Sequence, residues 1–165
     1  MSNAPGSDRG ARLALRPATL DDAQRLLAWR NDPQTRASSF DERVVTPDEH
    51  RAWLQAVFAD PNRLLLVAVE AGTPVGTIRA DAQGDVWRLS WTVAPEARGR
   101  GVARRMVKAF VAGFPNRLLA EVKQTNPASV RVAEAAGFRR TAEIDGILHF
   151  ERPAREAGSR PVEAN

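Results

Sequence analysis

The segment ARGRGVA, residues 97–103, interleaves Gly99 and Gly101 with Arg98 and Arg100, at a point where a strand-like run hands over to a helical one. Backbone N–H groups at such a junction lack helical partners and point outward at the positive end of the helix dipole. Glycine leaves that backbone open to a ligand, and arginine adds donors suited to phosphate oxygens. Strand, glycine loop and helix start together make a cradle for a pyrophosphate. The pattern is neither GxGxxG nor a GK[ST] loop, and no hydroxyl is placed to hold magnesium, which argues against nucleoside triphosphate hydrolysis. Read alone, the segment is equally a tight turn whose arginines sit in water.

Other reactive side chains are scarce. The chain has no cysteine, which excludes disulfides, thiolate metal sites and a cysteine nucleophile. Two histidines, His50 and His149, are too few and too far apart for a metal centre, so no metal is expected. Tyrosine is also absent. Of the basic residues, Arg98, Arg100, Arg104, Arg105 and Lys108 concentrate in one stretch, while the net charge is only +4. A local cluster points to an anionic small molecule rather than to nucleic acid.

At 165 residues the chain suits one domain with a proper core. Hydrophobic residues make up 43% and charged residues 27%, an ordinary balance for a soluble globule. No apolar run approaches the roughly 20 residues of a membrane helix, and the polar start MSNAPGSDRG does not resemble a signal peptide. The expected layout is a disordered leader at 1–11, one domain at 12–152 and a disordered tail at 153–165, in a cytoplasmic protein.

The elements that must position the cradle follow from capping and periodicity. Residues 12–19 alternate as a strand. A helix is expected over 19–32, capped by Thr19 and ended by Pro33. A second covers 46–60, with Thr46 as cap, Pro47 at the first position and Asp48 and Glu49 at its positive end. Strands follow at 63–71, 74–81 and 86–94, the last two joined by a turn at Gly84–Asp85. A helix over 101–114 turns Val102, Met106, Phe110 and Val111 to one side. Then come a strand at 116–124, a helix at 126–138 stopped by Gly137, and a closing hairpin at 139–152 around Asp145–Gly146. The order predicts a mixed α/β sheet with helices on both faces.

At this point the sequence resembles the GNAT superfamily of acyl-CoA-dependent N-acyltransferases. RGRGVA fits its R-x-x-G-x-A/G signature at Arg98, Gly101 and Ala103, and VAPEA precedes it. AEVKQTNPASVRVAEAAGF is similar to the strand, Asn…Ser pair and final GF that close the cofactor site. The resemblance covers roughly residues 12–152. It implies a mostly antiparallel sheet of about seven strands and acetyl-CoA as cofactor. The implied cofactor contacts are Trp91, Thr92, Val93, Arg98, Gly99, Arg100, Gly101, Val102, Ala103, Asn126 and Ser129.

LLAWRNDPQTR followed by TPDEHRAWL resembles the branch that acetylates nucleotide-linked amino sugars, as in pseudaminic-acid biosynthesis. That likeness implies a small-molecule amine as partner, with Trp29, Arg30, Asn31, His50 and Trp53 on the acceptor side. Each has an ordinary alternative: tryptophans at core spacing, a surface histidine, and Arg30, Asp32 and Arg36 as a helix-end charge cluster. The branch that acetylates ribosomal protein N-termini shares part of this pattern. Neither nucleic acid nor membrane is an expected partner, and strand pairing across subunits makes a homodimer one expectation.

The implied reaction is direct attack of a neutral amine on a thioester. It needs a proton acceptor and a fixed donor for the developing oxyanion, which the resemblance places at the Val93 N–H. Many relatives carry a tyrosine where Ala133 stands and a glutamate where Arg88 stands. Both usual proton-transfer groups are therefore missing. A thiol pKa of about 8.5 makes the leaving group undemanding, and Ser129 or water can serve it. For the base, Glu121 or His50 acting through water are the candidates, with Glu121 alternatively an ion-pair partner of Lys123 or an arginine. The missing groups also keep open a non-catalytic acyl-CoA sensor, beside protein N-terminal or antibiotic amine acetylation.

Overall fold

The computed structural model describes residues 12–155; the expected leader at 1–11 and residues 156–165 of the expected tail lie outside them. The described residues run β1 (Ala14–Pro17), α1 (Ala23–Asn31), α2 (Pro33–Ser38), α3 (Pro47–Ala59), β2 (Arg63–Glu70), β3 (Thr73–Gln83), β4 (Val86–Val93), α4 (Val102–Gly113), β5 (Arg117–Lys123), α5 (Pro127–Ala135), β6 (Arg139–Ile144) and β7 (Ile147–Arg152). All seven strands join one sheet in the order β1-β2-β3-β4-β5-β7-β6. Every neighbouring pair is antiparallel except β4 and β5. This is the mixed, mostly antiparallel seven-stranded sheet expected from the sequence.

Helices cover both faces of it. Alternation puts Gly76, Ile78 and Ala80 on one side of β3 and Thr77, Arg79 and Asp81 on the other. A Cβ on Gly76 would meet Met106 Sδ of α4 at 2.9 Å. The Arg79 guanidinium instead lies 5.4 Å from the centre of the Trp53 ring on α3. Helices α4 and α3 therefore cover opposite faces. Leu54, Val67, Ile78, Met106, Val107, Leu118 and Phe150 are fully buried between the layers. The apolar stripe of α4 that seals against the sheet is Val102, Met106, Val107, Phe110 and Val111.

Local chemistry explains where the N-terminal helices begin. Thr46 accepts a bond from the Glu49 N–H at 3.3 Å, and the Glu49 carboxylate accepts one from the Thr46 N–H at 2.9 Å. That reciprocal box fixes the start of α3. The Thr46 N–H, followed by Arg43, pushes the Glu49 pKa down to about 2. Before α1 the chain makes a single 3-10 turn, Leu20–Asp22, rather than the α-helix expected from Thr19. Asp22 is buried there, taking two 2.8 Å bonds from Arg16 and one of 2.9 Å from the Thr19 N–H. The Arg16 guanidinium is the main cause holding its carboxyl below the usual range.

Two stretches add detail to the expected layout. Pro33 does not simply end a helix; it is the first residue of α2, whose N-cap Asp32 accepts a 3.0 Å bond from the Thr35 N–H. A proline that stops one helix is equally suited to the first position of the next. The tail expected to be loose from residue 153 is held at its beginning, because the Arg155 N–H donates to the Pro115 carbonyl at 2.9 Å.

Candidate active site

Strands β4 and β5 pair only over Val86–Arg88 with Arg117–Leu119. Beyond Arg88 they part and leave a seam. The Ala94 N–H bonds the Val75 carbonyl of β3, and Gly76 is opposite Val93 in the same register. Antiparallel alternation therefore sends the N–H groups of Thr92 and Ser90 toward β3 and those of Trp91 and Val93 toward the seam. A strand edge with free donors runs along one wall of a cleft of about 1070 Å³. That volume lies at the top of the usual range for ligand sites.

The start of α4 opens into the same cleft. Gly99 and Gly101 take φ of +75° and +70°, left-handed conformations that favour glycine. Helices α2, α3 and α5 each have a side-chain cap, whereas α4 has none. The N–H groups of its first turn thus lack intrahelical partners, and Gly99, Gly101, Val102, Ala103 and Arg104 all line the cleft. An anion is the natural acceptor for them.

The arginines of the motif have other partners. Arg98 donates to Asp32 Oδ2 at 2.5 Å and to Thr35 Oγ1 at 3.0 Å, tying the loop to the start of α2 and lowering the Asp32 pKa. Arg100 does not line the cleft; it bonds Glu70 at 2.9 Å, and Arg105 bonds the same carboxylate at 2.6 Å. Asn126 and Ser129 do line it, but they also hold each other. The Ser129 N–H donates to Asn126 Oδ1 at 3.2 Å, and Asn126 Nδ2 donates to Ser129 Oγ at 3.1 Å. Ala133 is fully buried and lies off the cleft wall.

At the other end α1, α3, β3 and β5 converge. Trp29, Arg30, His50 and Trp53 line the cleft there, while Asn31 does not. Its side chain clamps the loop before α3, donating to the Val45 carbonyl and accepting from the Val45 N–H, both at 2.8 Å. Arg30 donates to the carbonyls of Asp41 (2.8 Å) and Arg43 (3.5 Å). His50 is 5% exposed, with its ring 5.7 Å from that of Trp53. Burial, and secondarily the charge of Arg30, pushes its pKa below the ordinary histidine value. The imidazole is therefore neutral near pH 7 and able to take a proton. Glu121 lines the cleft from β5, 3.3 Å from Arg88 Nη2 and 3.6 Å from His149 Nδ1. A carboxylate is thus present on the strand next to Arg88 and paired with it.

Several lining residues were not among the expected contacts. Arg104 stands beside the α4 start, and Phe40, 58% exposed, stands over the opposite end. Lys123 lies 2.5 Å from Glu42 and donates to the Ala37 carbonyl, strapping that loop to β5. Arg79 projects from β3, its Nη2 2.5 Å from Asp81, a carboxylate also 3.2 Å from Arg63. The one available signal was strand alternation, which turns Arg79 toward the helix carrying Trp53. Among the described residues no cluster of metal-binding side chains occurs, and no helix is long and apolar enough to cross a membrane.

An anion-ready helix start, a strand seam with free donors and a second pocket with proton acceptors together define a group-transfer site for two ligands. The acetyltransferase (GNAT) domain family matches residues 12–139. The chain belongs to that family; it is an N-acetyltransferase that uses acetyl-CoA. The uncapped α4 start and the seam fit such a cofactor, the first its diphosphate and the second its amide-bearing arm. No curated protein matches the chain. Solved structures share the fold. Spermidine N-acetyltransferase from Vibrio cholerae, in complex with CoA and spermine, matches at 18% identity and a TM-score of 0.77, covering 86% of this chain and 95% of that one. Aminoglycoside acetyltransferase AAC(6')-Ib with paromomycin and acetyl-CoA matches at 20% identity and 0.76, covering 93% and 99%. The protein yncA of Salmonella typhimurium, with its cofactor acetyl-CoA, matches at 20% and 0.71 over the same shares.

Proposed function

We infer that the acceptor is the primary amine of a nucleotide-linked amino sugar. The observation that supports this is the state of the acids in the cleft. Asp41 and Glu49 are both bonded to Arg43, and Glu121 is paired with Arg88 and His149. A polycationic acceptor needs unpaired carboxylates, and this pocket is instead lined by Arg30, bonded only to backbone carbonyls, and by Arg79. The indole of Trp53 and the exposed ring of Phe40 offer apolar faces to a sugar or a base.

Bound acetyl-CoA supplies the thioester carbonyl that the amine attacks. The N–H groups of the cap Gly101 and of Val102 and Ala103 in the first turn would hold its diphosphate, with Arg104 beside them. The Val93 N–H, turned into the seam, would donate to the thioester oxygen on which charge develops. Neutral His50 removes the proton of the amine, directly or through water, and Glu121 is the second acceptor within the cleft. Ser129 Oγ accepts a bond from Asn126, which leaves its hydrogen available for donation to the departing sulfur.

Thiol release from acetyl-CoA, measured with uridine-diphospho amino sugars, polyamines, aminoglycosides and peptides, tests the reading. Turnover is expected with an amino-sugar nucleotide. A higher kcat/KM for spermidine, kanamycin or a peptide N-terminus would overturn it.

A further inference from the structure

We propose that Arg79 is a specificity-determining residue: it binds an anionic group of the acceptor, separated from the amine by several bonds. The proposal rests on the amino-sugar-nucleotide reading for the kind of acceptor, but its evidence is distinct.

Arg63 and Arg79 share the single carboxylate of Asp81, at 3.2 and 2.5 Å. Their guanidinium groups lie 5.9 and 5.4 Å from the Trp53 ring centre. Two cations and one anion leave one positive charge uncompensated at the wall of the cleft. Arg79 Nε is buried and has no hydrogen-bond partner. Charged donors are rarely left so, because an unmade bond there costs more than a neutral one. Arg79 lines the cleft, and its side chain is 39% exposed. A ligand oxyanion can therefore reach the guanidinium and draw the fork into a satisfied geometry. Guanidinium suits this task, since its planar fork matches phosphate and carboxylate oxygens.

Register sets the class of ligand. Gly76 is opposite Val93, whose N–H marks the reacting end, and Arg79 is three residues along β3. That is about 10 Å of strand. The guanidinium leans toward Asp81, further from Val93 again. An α-carboxylate next to the reacting amine is too close to be reached. A phosphate on the far side of a sugar ring is at the right remove.

The test compares full-length wild type with Arg79→Met and Arg79→Lys. Acceptors are one amino sugar as its nucleoside diphosphate conjugate and as its neutral methyl glycoside, with KM for acetyl-CoA as internal control. Wild type is expected to favour the charged form at least tenfold in kcat/KM, through KM. Arg79→Met should lose that preference and Arg79→Lys keep part of it. A methionine variant with the preference intact, or one impaired equally on both acceptors, overturns the proposal. Uridine diphosphate and inorganic phosphate are also titrated separately against CoA-saturated protein, followed by tryptophan fluorescence. Tighter binding of the nucleotide identifies a nucleotide handle, and equal binding a simple phosphate. Failure of both to bind wild type overturns the role of Arg79, even if amino sugars are acetylated. Binding that Arg79→Met weakens tenfold, without acetylation of any amino sugar, overturns only the choice of acceptor.

Discussion

His50 owes its chemistry to enclosure. An imidazole in water is half protonated near pH 6.5, but this one is buried at the cleft wall and faces the charge of Arg30, so its folded-state pKa is depressed. As pH falls from 6.5 through that lower value, the unfolded chain binds the proton first and the folded state loses stability. Thermal scans of wild type should show a falling Tm in that window, and His50→Gln should flatten the slope. The acidic limb of kcat/KM should lie below pH 6.5, and the same variant should lower kcat by about a hundredfold. An unchanged rate and profile would assign proton removal to Glu121. Nothing in the sequence showed how enclosed His50 is, because that depends on α1 and β2 packing against α3. Arg98 teaches the same point. Its motif position was legible, but its bond to Asp32, 66 residues away, was not.

Among the elements, α4, to which the proposal assigns the donor site, was the most legible. Its glycines announce the left-handed turns, and its apolar spacing matches the stripe observed. Gly101 precedes it at φ +70°. A Cβ there would meet only Arg105 Nη1, at an ordinary 3.6 Å. The penalty for a side chain is thus conformational and electrostatic rather than steric. Saturation with acetyl-CoA at a hundred times Kd should stabilise wild type by about 2.7 kcal/mol, or roughly 5–11 °C in Tm. Gly101→Glu should abolish that rise, because it sets a carboxylate against the diphosphate. Gly101→Ala should lower the unliganded Tm yet retain a shift, which separates backbone strain from charge. A full shift in the glutamate variant would remove α4 from the donor site. Helix α2 was illegible for a local reason: Asp32 closes one helix and opens the next, so Pro33 carries two meanings in the sequence.

Across the whole molecule, the sheet is two half-sheets joined by three residue pairs between β4 and β5, with α4 packed on the first half, α5 on the second and the two helices against each other. Alternating apolar runs revealed each strand, but which strands become neighbours, and where a pair stops, is set by tertiary packing. Deuterium exchange should find the Trp91 and Val93 amides fast in the unliganded protein and at least tenfold slower with acetyl-CoA, while Leu118 changes little. Equal rates with and without the cofactor would mean that these amides never engage it. Most proteins complete their ladders while they fold. Here a stretch of ladder edge beyond Arg88 is left open, and on the proposed reading a ligand would lay the last rung, so that substrate capture would borrow the energetics of sheet formation itself.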